Sequence, residues 1–274
     1  MLMHMEDIIL ENGIKVPKIG LGMWDAYGDE ASEAVSTALK LGYRRVDTAM
    51  FYKNEPEVGR GIRMSGIPRE EIFVSTKIWF TDMEVDKVRT TFEKSLDNLQ
   101  LDYIDMYMLH WPMGDVAGSW TVLEELYEEG KVKSIGVCNF QKHHMEALLK
   151  TAKIKPMINQ IESHPTFSQN DLVCYCQEQG IQPEAWSPLG RGDDLNHPVI
   201  REIAQRYGKT TAQIILRWHM QRGMTAIPKS VKEHRMIENA SIFDFRLTDD
   251  EMEVILAQET GIPRGGYRDG YTWE

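Results

Sequence analysis

Cysteine is scarce in this chain of 274 residues. Cys138, Cys174 and Cys176 are too few for a disulfide framework, and Cys174 with Cys176 lacks the CxxC spacing and the partner ligands of a structural zinc site. A reducing, cytoplasmic setting fits that content. Basic charge is in deficit: 31 Lys and Arg stand against 42 Asp and Glu, for a net charge of −11, and the cations form no long block. An electrostatic footprint for nucleic acid is therefore not expected. No segment approaches the ~20 apolar residues that a membrane-spanning helix needs. Residues 1–5, followed by Glu6 and Asp7, have neither the basic nor the apolar region of a secretory signal. No Pro/Gly/Ser-rich linker, low-complexity tract or composition shift divides the chain, so 1–274 reads as one domain. The expectation is a soluble, unprocessed protein with no nucleic-acid or membrane partner.

What is present is alternation. Residues 8–10, the turn Glu11-Asn12-Gly13 and residues 14–17 read as an N-terminal hairpin. Short β-prone runs follow at 20–22, 45–47, 72–77, 104–110, 134–139, 157–162, 182–186 and 225–229. Helical patterns lie between them at 30–41, 85–99, 120–129, 142–151 and 170–179, then across 198–220 with a break at Gly208, and at 232–242. A last helix, 248–259, opens on the capping-box pattern of Thr248 and Glu251. Eight strand-helix units in a chain near the ~250 residues typical of a (β/α)8 barrel predict an α/β TIM barrel, with the hairpin before it and an extra C-terminal helix after it. Gly20-Leu21-Gly22, Gly59-Arg60-Gly61 and Gly190-Arg191-Gly192 each lack the third glycine of a Rossmann fingerprint.

In such barrels chemistry sits where the strands end. Those ends carry Asp47, Lys77, His110, Asn139, Gln160 with Glu162, Trp186 and Lys229. A single polar residue there is ordinarily a cap or a solvated loop position, whereas a succession of them marks one face. Tyr52 is a weak acid of pKa ~10 that a nearby lysine cation would strengthen. Lys77 can be that cation, Asp47 can hold it charged, and His110 can steer a carbonyl oxygen towards the phenol. The four together read as an acid–base site for carbonyl reduction.

Several motifs resemble the aldo-keto reductases. Gly20-Leu21-Gly22-Met23-Trp24, Val46-Asp47-Thr48-Ala49, Phe51-Tyr52-Lys53-Asn54-Glu55, Ser75-Thr76-Lys77-Ile78-Trp79 and Leu109-His110-Trp111-Pro112 carry the resemblance in the first half. Gly136-Val137-Cys138-Asn139-Phe140, Asn159-Gln160-Ile161-Glu162, Trp186-Ser187-Pro188-Leu189-Gly190 and Ile227-Pro228-Lys229-Ser230, with Arg235 and Glu238-Asn239, continue it. It spans nearly the whole chain in family order and is similar to the prokaryotic branch of 2,5-diketo-gluconate and methylglyoxal reductases. The resemblance implies reduction of aldehydes and small ketones to alcohols by NADPH. It makes Tyr52 the general acid, Lys77 and Asp47 its support, and His110 the group that orients the substrate.

The same resemblance implies an extended NADP(H) across the barrel mouth. Asn139 and Gln160 would hold the nicotinamide carboxamide, Trp186 would stack on the ring, and Ser187 with Leu189 would meet the pyrophosphate. Lys229, Ser230 and Arg235 would take the adenosine 2′-phosphate, and Glu238 and Asn239 the adenine edge. Two departures stand out: Cys138 occupies a position usually held by serine, and Ser163 one often aromatic. Trp24, Phe51, Trp79, His110, Trp111 and Met113 would line an open substrate mouth. In the tail, Arg264, Tyr267, Arg268, Tyr271 and Trp273 could approach it, and an arginine there could meet a substrate carboxylate. A monomer is expected, a weak dimer being the alternative.

Two other classes compete. A cofactor-sensing regulatory subunit, as the potassium-channel β relatives are, would keep vestigial reductase activity, but its extra N-terminal sequence is not visible. A metal hydrolase would need ligands, and none are expected: His143 and His144 adjoin on a helix, where neighbouring side chains should point apart, and no His-x-His strand motif occurs.

Overall fold

A computed structural model describes residues 5–265 of the chain. The hairpin is β1 (Asp7–Ile9) against β2 (Lys15–Pro17), with Gly13 supplying the positive φ of its turn. Eight parallel strands pair in chain order after it: β3 (Leu21–Gly22), β4 (Arg45–Asp47), β5 (Phe73–Ile78), β6 (Met106–Leu109), β7 (Ile135–Cys138), β8 (Ile158–Glu162), β9 (Gln182–Trp186) and β10 (Thr225–Ala226). Parallel bridges from Ile19 to Ala226 and from Gly22 to Lys229 join the last strand to the first and close the barrel. That closure depends on a glycine, because a Cβ on Gly22 would fall 2.6 Å from the Ile227 carbonyl oxygen. The hairpin leads into the N-terminal end of the barrel, opposite the mouth.

The helices surround the strands as α1 (Gly28–Leu41), α2 (Glu55–Ser65), α3 (Val85–Leu99), α4 (Val116–Glu128), α5 (Lys142–Leu149), α6 (Asn170–Glu178), α7 (Pro198–Tyr207), α8 (Thr211–Gln221), α9 (Glu233–Ala240) and α10 (Asp249–Leu256). Gly208 separates α7 from α8 in the left-handed conformation, and Thr248 with Glu251 forms the expected capping box. Helix α4 begins about a turn before the sequence pattern suggests, because the Asp115 carboxylate accepts the Gly118 N–H at 2.9 Å.

Helix α2 is the element that the sequence reading misses. Gly59 and Gly61 lower helix propensity by about 1 kcal/mol each relative to alanine and mask the pattern. Packing explains them: a Cβ on Gly59 would lie 2.0 Å from the Leu99 carbonyl oxygen at the end of α3, and one on Gly61 would lie 2.6 Å from that of Ser32 on α1. Pro56 sits in the first turn, where its missing N–H costs nothing. The helix therefore wedges between its neighbours backbone to backbone, and it carries the loop that presents Tyr52.

Candidate active site

Every residue of β5 is buried, including Lys77, whose side chain is 0% exposed. A lysine there needs a counter-charge, since burial alone would drive it neutral. Asp47 supplies it: Lys77 Nζ lies 2.5 Å from Asp47 Oδ2 and donates to the Thr48 carbonyl at 2.9 Å. Ser75 Oγ donates to the other Asp47 oxygen at 2.7 Å, and Gln160 Nε2 to the same oxygen at 3.1 Å. The register of β4 on β5 sets Asp47 beside Ser75, so Lys77, two residues on, projects inward one step nearer the mouth.

Tyr52 ends a short helical turn, Met50–Tyr52, that leaves β4. Asn54 pins this loop. Its Nδ2 donates to the Met23 and Ala26 carbonyls at 2.7 and 2.9 Å, and its Oδ1 accepts from Thr48 Oγ1 at 2.6 Å. Lys77 Nζ comes 5.2 Å from the Tyr52 ring centre, near enough for its charge to act on the phenol. The His110 ring stands edge-on to Tyr52, with centroids 5.6 Å apart.

Electrostatics modify the expectation for Tyr52. Burial pushes its phenol up to about 12, and Lys77 acts in the opposite sense without overcoming it. The lysine therefore limits the rise rather than making the phenol more acidic than usual. Burial works most strongly against the Lys77 ammonium, but Asp47, with smaller help from Tyr52 and Cys138, holds that charge above the ordinary lysine value. Burial, then Lys77, drives His110 well below its ordinary value, so the imidazole is neutral at pH 7. Its Nδ1 finds no hydrogen-bond partner among the described residues.

One cavity of about 170 Å³ gathers most of the expected site. Trp24, Phe51, Tyr52, Trp79, His110 and Trp111 line one part, and Asp47, Asn139, Gln160, Trp186, Ser187 and Lys229 line the rest. Trp79 stacks on Phe51 at 3.8 Å between ring centres, and Trp24 on Phe51 at 5.9 Å, so a flat aromatic wall stands over the phenol. Trp24 and Phe51 are 45% and 37% exposed, which leaves this side of the mouth open. Met113 is not on the cavity wall.

Asn139 follows β7 with φ +63° and Ser187 follows β9 with φ +46°, a left-handed backbone uncommon outside glycine and asparagine. Asn139 donates to the His110 carbonyl at 3.0 Å and accepts from the Trp186 indole at 2.8 Å, which fixes the indole plane. Leu189, Ser230, Arg235, Glu238 and Asn239 lie off this cavity. Ser230 makes a local turn with Lys232 before α9, the helix that carries Arg235, Glu238 and a buried Asn239. Glu238 accepts from Thr210 Oγ1 at 2.7 Å, so its carboxylate is already engaged.

Both departures are accommodated. Burial keeps Cys138 a thiol, well above its ordinary value, and its sulfur sits 3.8 Å from the Met108 sulfur. Ser163 is buried, donating to the Ser168 carbonyl at 3.0 Å and accepting from Arg222 at 3.3 Å, so a guanidinium occupies the neighbourhood of the missing aromatic. The His143 and His144 rings do not point apart as expected: their centroids are 3.9 Å apart, and His144 Nδ1 accepts the Gln141 N–H in a capping box. No group of three or more His, Cys, Asp or Glu side chains is placed to hold a metal ion among the described residues, and no helix among them is long and apolar enough to cross a membrane.

The sequence reading passed over two buried clusters. One places His164 between Asp194 at 2.9 Å and Glu162 at 3.3 Å, and Glu162 also accepts the Arg264 and Gly265 N–H groups. That draws the tail onto Trp186, where a Cβ on Gly265 would fall 2.2 Å from the indole. Arg264 pairs with Asp193 at 3.4 Å, while Tyr267, Arg268, Tyr271 and Trp273 lie outside the described residues. The other is the pair of Arg45 and Glu184, both fully buried. Strand parity could have revealed that pair, since each stands two residues before an inward-facing site residue, Asp47 or Trp186.

The chain is similar to known proteins along most of its length. The chain is 51% identical over 252 residues to the glyoxal reductase of Bacillus subtilis, covering 91% of each, and 43% identical over 259 residues to the methylglyoxal reductase of Salmonella typhimurium, covering 93% of this chain and 94% of that one. An aldo/keto reductase from Brucella melitensis superposes with a TM-score of 0.90 at 43% identity, over 93% of this chain and all of that one. A Bombyx mori aldo-keto reductase solved in complex with NADP gives the same TM-score at 34% identity, over 94% of each. Residues 18–193 and 195–258 match the aldo/keto reductase family, and the chain belongs to that family.

Proposed function

We propose that the protein uses NADPH to reduce aldehydes and small ketones to alcohols, with Tyr52 as the general acid and the 274 residues forming one catalytic domain. The observation that carries this reading is the buried Lys77–Asp47 pair beneath Tyr52, with a neutral His110 beside it at the floor of an aromatic cavity. The cofactor fits the opposite wall. Gln160 Oε1 has only a weak thiol contact at 4.0 Å, Asn139 keeps one N–H and a lone pair to spare, and Trp186 offers a braced plane. Lys229, Ser230 and Arg235 would hold the 2′-phosphate, and Ser187 with Leu189 the pyrophosphate. When bound, the nicotinamide supplies hydride to the carbonyl carbon.

The protein's own groups handle the oxygen. A neutral His110 can donate one N–H to the carbonyl oxygen and hold it within reach of Tyr52. Charge growing on that oxygen is alkoxide charge, far more basic than a phenolate. A phenol at about 12 is thus still acid enough to give up its proton late in the step. Lys77 then faces the phenolate left behind, and Asp47 keeps that ammonium charged. The aromatic wall and the small cavity favour compact substrates. Small α-oxoaldehydes, which the names of the relatives also suggest, are the first to try.

Tyr52→Phe tests the assignment. Turnover of methylglyoxal with NADPH should fall by at least ~100-fold, the usual scale of general-acid catalysis, while NADPH still binds. Retained turnover would refute the acid role.

A further inference from the structure

A polar chain runs through the barrel below the site. Arg45 Nη2 donates to Glu184 Oε1 at 2.8 Å, Arg45 Nη1 lies 2.5 Å from Oε2, and Thr225 Oγ1 donates to Oε2 at 2.7 Å. Gln160 Nε2 donates to Glu184 Oε1 at 2.8 Å and to Asp47 Oδ1 at 3.1 Å. Register sets these groups level, since Gln160 pairs with Glu184 and Glu184 with Thr225 on adjacent strands. Room for the guanidinium comes from Gly20, where a Cβ would stand 3.0 Å from the Arg45 side chain. Two cations, Arg45 and Lys77, balance two anions, Glu184 and Asp47, as burial requires.

The arrangement fixes one atom of interest. With its nitrogen between two carboxylates, the Gln160 amide cannot turn over, because its oxygen would then face two negative oxygens. Oε1 is left with no donor but the weak Cys138 thiol at 4.0 Å, on a residue that lines the cavity. We propose that Glu184, clamped by Arg45 and Thr225, is a positioning residue: it holds Gln160 so that Oε1 accepts an N–H from the nicotinamide carboxamide. This rests on the cofactor reading above. Glu184 touches neither the cavity nor the reacting groups.

Binding tests it without turnover. NADP+ and its 3-acetylpyridine analogue, which has a methyl in place of the carboxamide nitrogen, are titrated calorimetrically against the wild type. The acceptor predicts about a tenfold preference for NADP+, the worth of one buried hydrogen bond. In Arg45→Met with Glu184→Met, which removes both charges together, the preference should shrink to about threefold or less, while adenosine 2′,5′-bisphosphate binds as in wild type. Gln160→Met sets the floor. Should the double variant not fold, Glu184→Gln takes its place. Its amide can offer Gln160 an oxygen only by turning a nitrogen on Arg45, so the preference falls there too. An unchanged tenfold preference in the variant that folds overturns the proposal, as does a preference that survives in Gln160→Met. Failure of the wild type to bind NADP+ at all would instead overturn the cofactor reading.

Discussion

Asp47→Asn removes one negative charge and almost no volume, and its effects follow from the Lys77–Asp47 contact. At 2.5 Å, with both side chains no more than 1% exposed, the pair has little water to screen it. At an effective dielectric of about 20, a pair ~4 Å apart is worth about 4 kcal/mol. Without that attraction the burial of Lys77 is unopposed, and its titration should move down into the range of about pH 7 to 10. As the ammonium is lost, Tyr52 loses the charge that steadies its phenolate. The expected kcat for methylglyoxal is ~100-fold to 1000-fold lower, falling further as pH rises across that range, where the wild type should be flat. Stability gives a second, independent readout. In the wild type Lys77 is held above its unfolded value, so its contribution is complete below that value and is lost only as pH rises through the still higher folded one. In the variant the folded lysine is depressed instead, so stability should increase with pH. Leaving a buried charge unpaired costs about 3–5 kcal/mol, with the lower end expected because the Asn carbonyl can still accept from the ammonium. That corresponds to a fall in Tm of about 6–12 °C for a chain of this size. NADPH absorbance across pH, with thermal melts at each pH, measures both. A variant within twofold of wild-type kcat, with a flat profile, would refute the electrostatic reasoning.

The direction of the reaction should show in its pH dependence: alcohol oxidation needs Tyr52 as phenolate, so its rate should climb about tenfold per pH unit below the phenol's value of about 12, while reduction does not. A plateau of the oxidation rate near neutral pH would contradict the raised phenol. Arg235→Ala should weaken NADPH by about tenfold or more and NADH hardly at all, as expected for a cation on a phosphate dianion, and equal weakening in titrations of both would remove Arg235 from the 2′-phosphate pocket. Gly59→Ala should destabilise by about 1–3 kcal/mol, because its Cβ meets the Leu99 carbonyl oxygen. It should leave kcat per folded molecule near wild type, and an unchanged Tm would mean that α2 and α3 do not pack so closely.

Strands and their ends are what the sequence makes visible, for a physical reason. A barrel strand is mostly apolar and turns polar chiefly towards the end that meets the loops of the mouth, so Asp47, Lys77, His110, Asn139, Gln160 and Trp186 stand out against their surroundings. Helices with a clean apolar face, such as α3, or with such a face and a glycine stop, such as α1, are legible on the same grounds. Helix α2 is not, because its glycines obey contacts with Leu99 and Ser32, about forty and thirty residues away, that no local pattern encodes. The adjoining His143 and His144 misled for a related reason: a first helical turn is shaped by its cap, here Gln141 with His144, and not by ideal helical geometry.

The electrostatics divide along the same line. Which cation serves which anion is decided across the barrel. Arg45 and Glu184 lie 139 residues apart, and Gln160 and Asp47 lie 113 apart, so only the register of the closed sheet brings them level. Sequence supplies the sign of each charge but not the depth at which it sits. Depth is what reverses the expected behaviour of Tyr52, since burial outweighs the lysine that would acidify it. The same depth keeps His110 neutral, and so able both to donate to a carbonyl oxygen and to stay uncharged beside Lys77. A shallower site with the same residues would hold a more acidic phenol and an imidazole that titrates near neutrality. Its carbonyl reduction would then vary with pH over the range in which reduction by this arrangement should be constant.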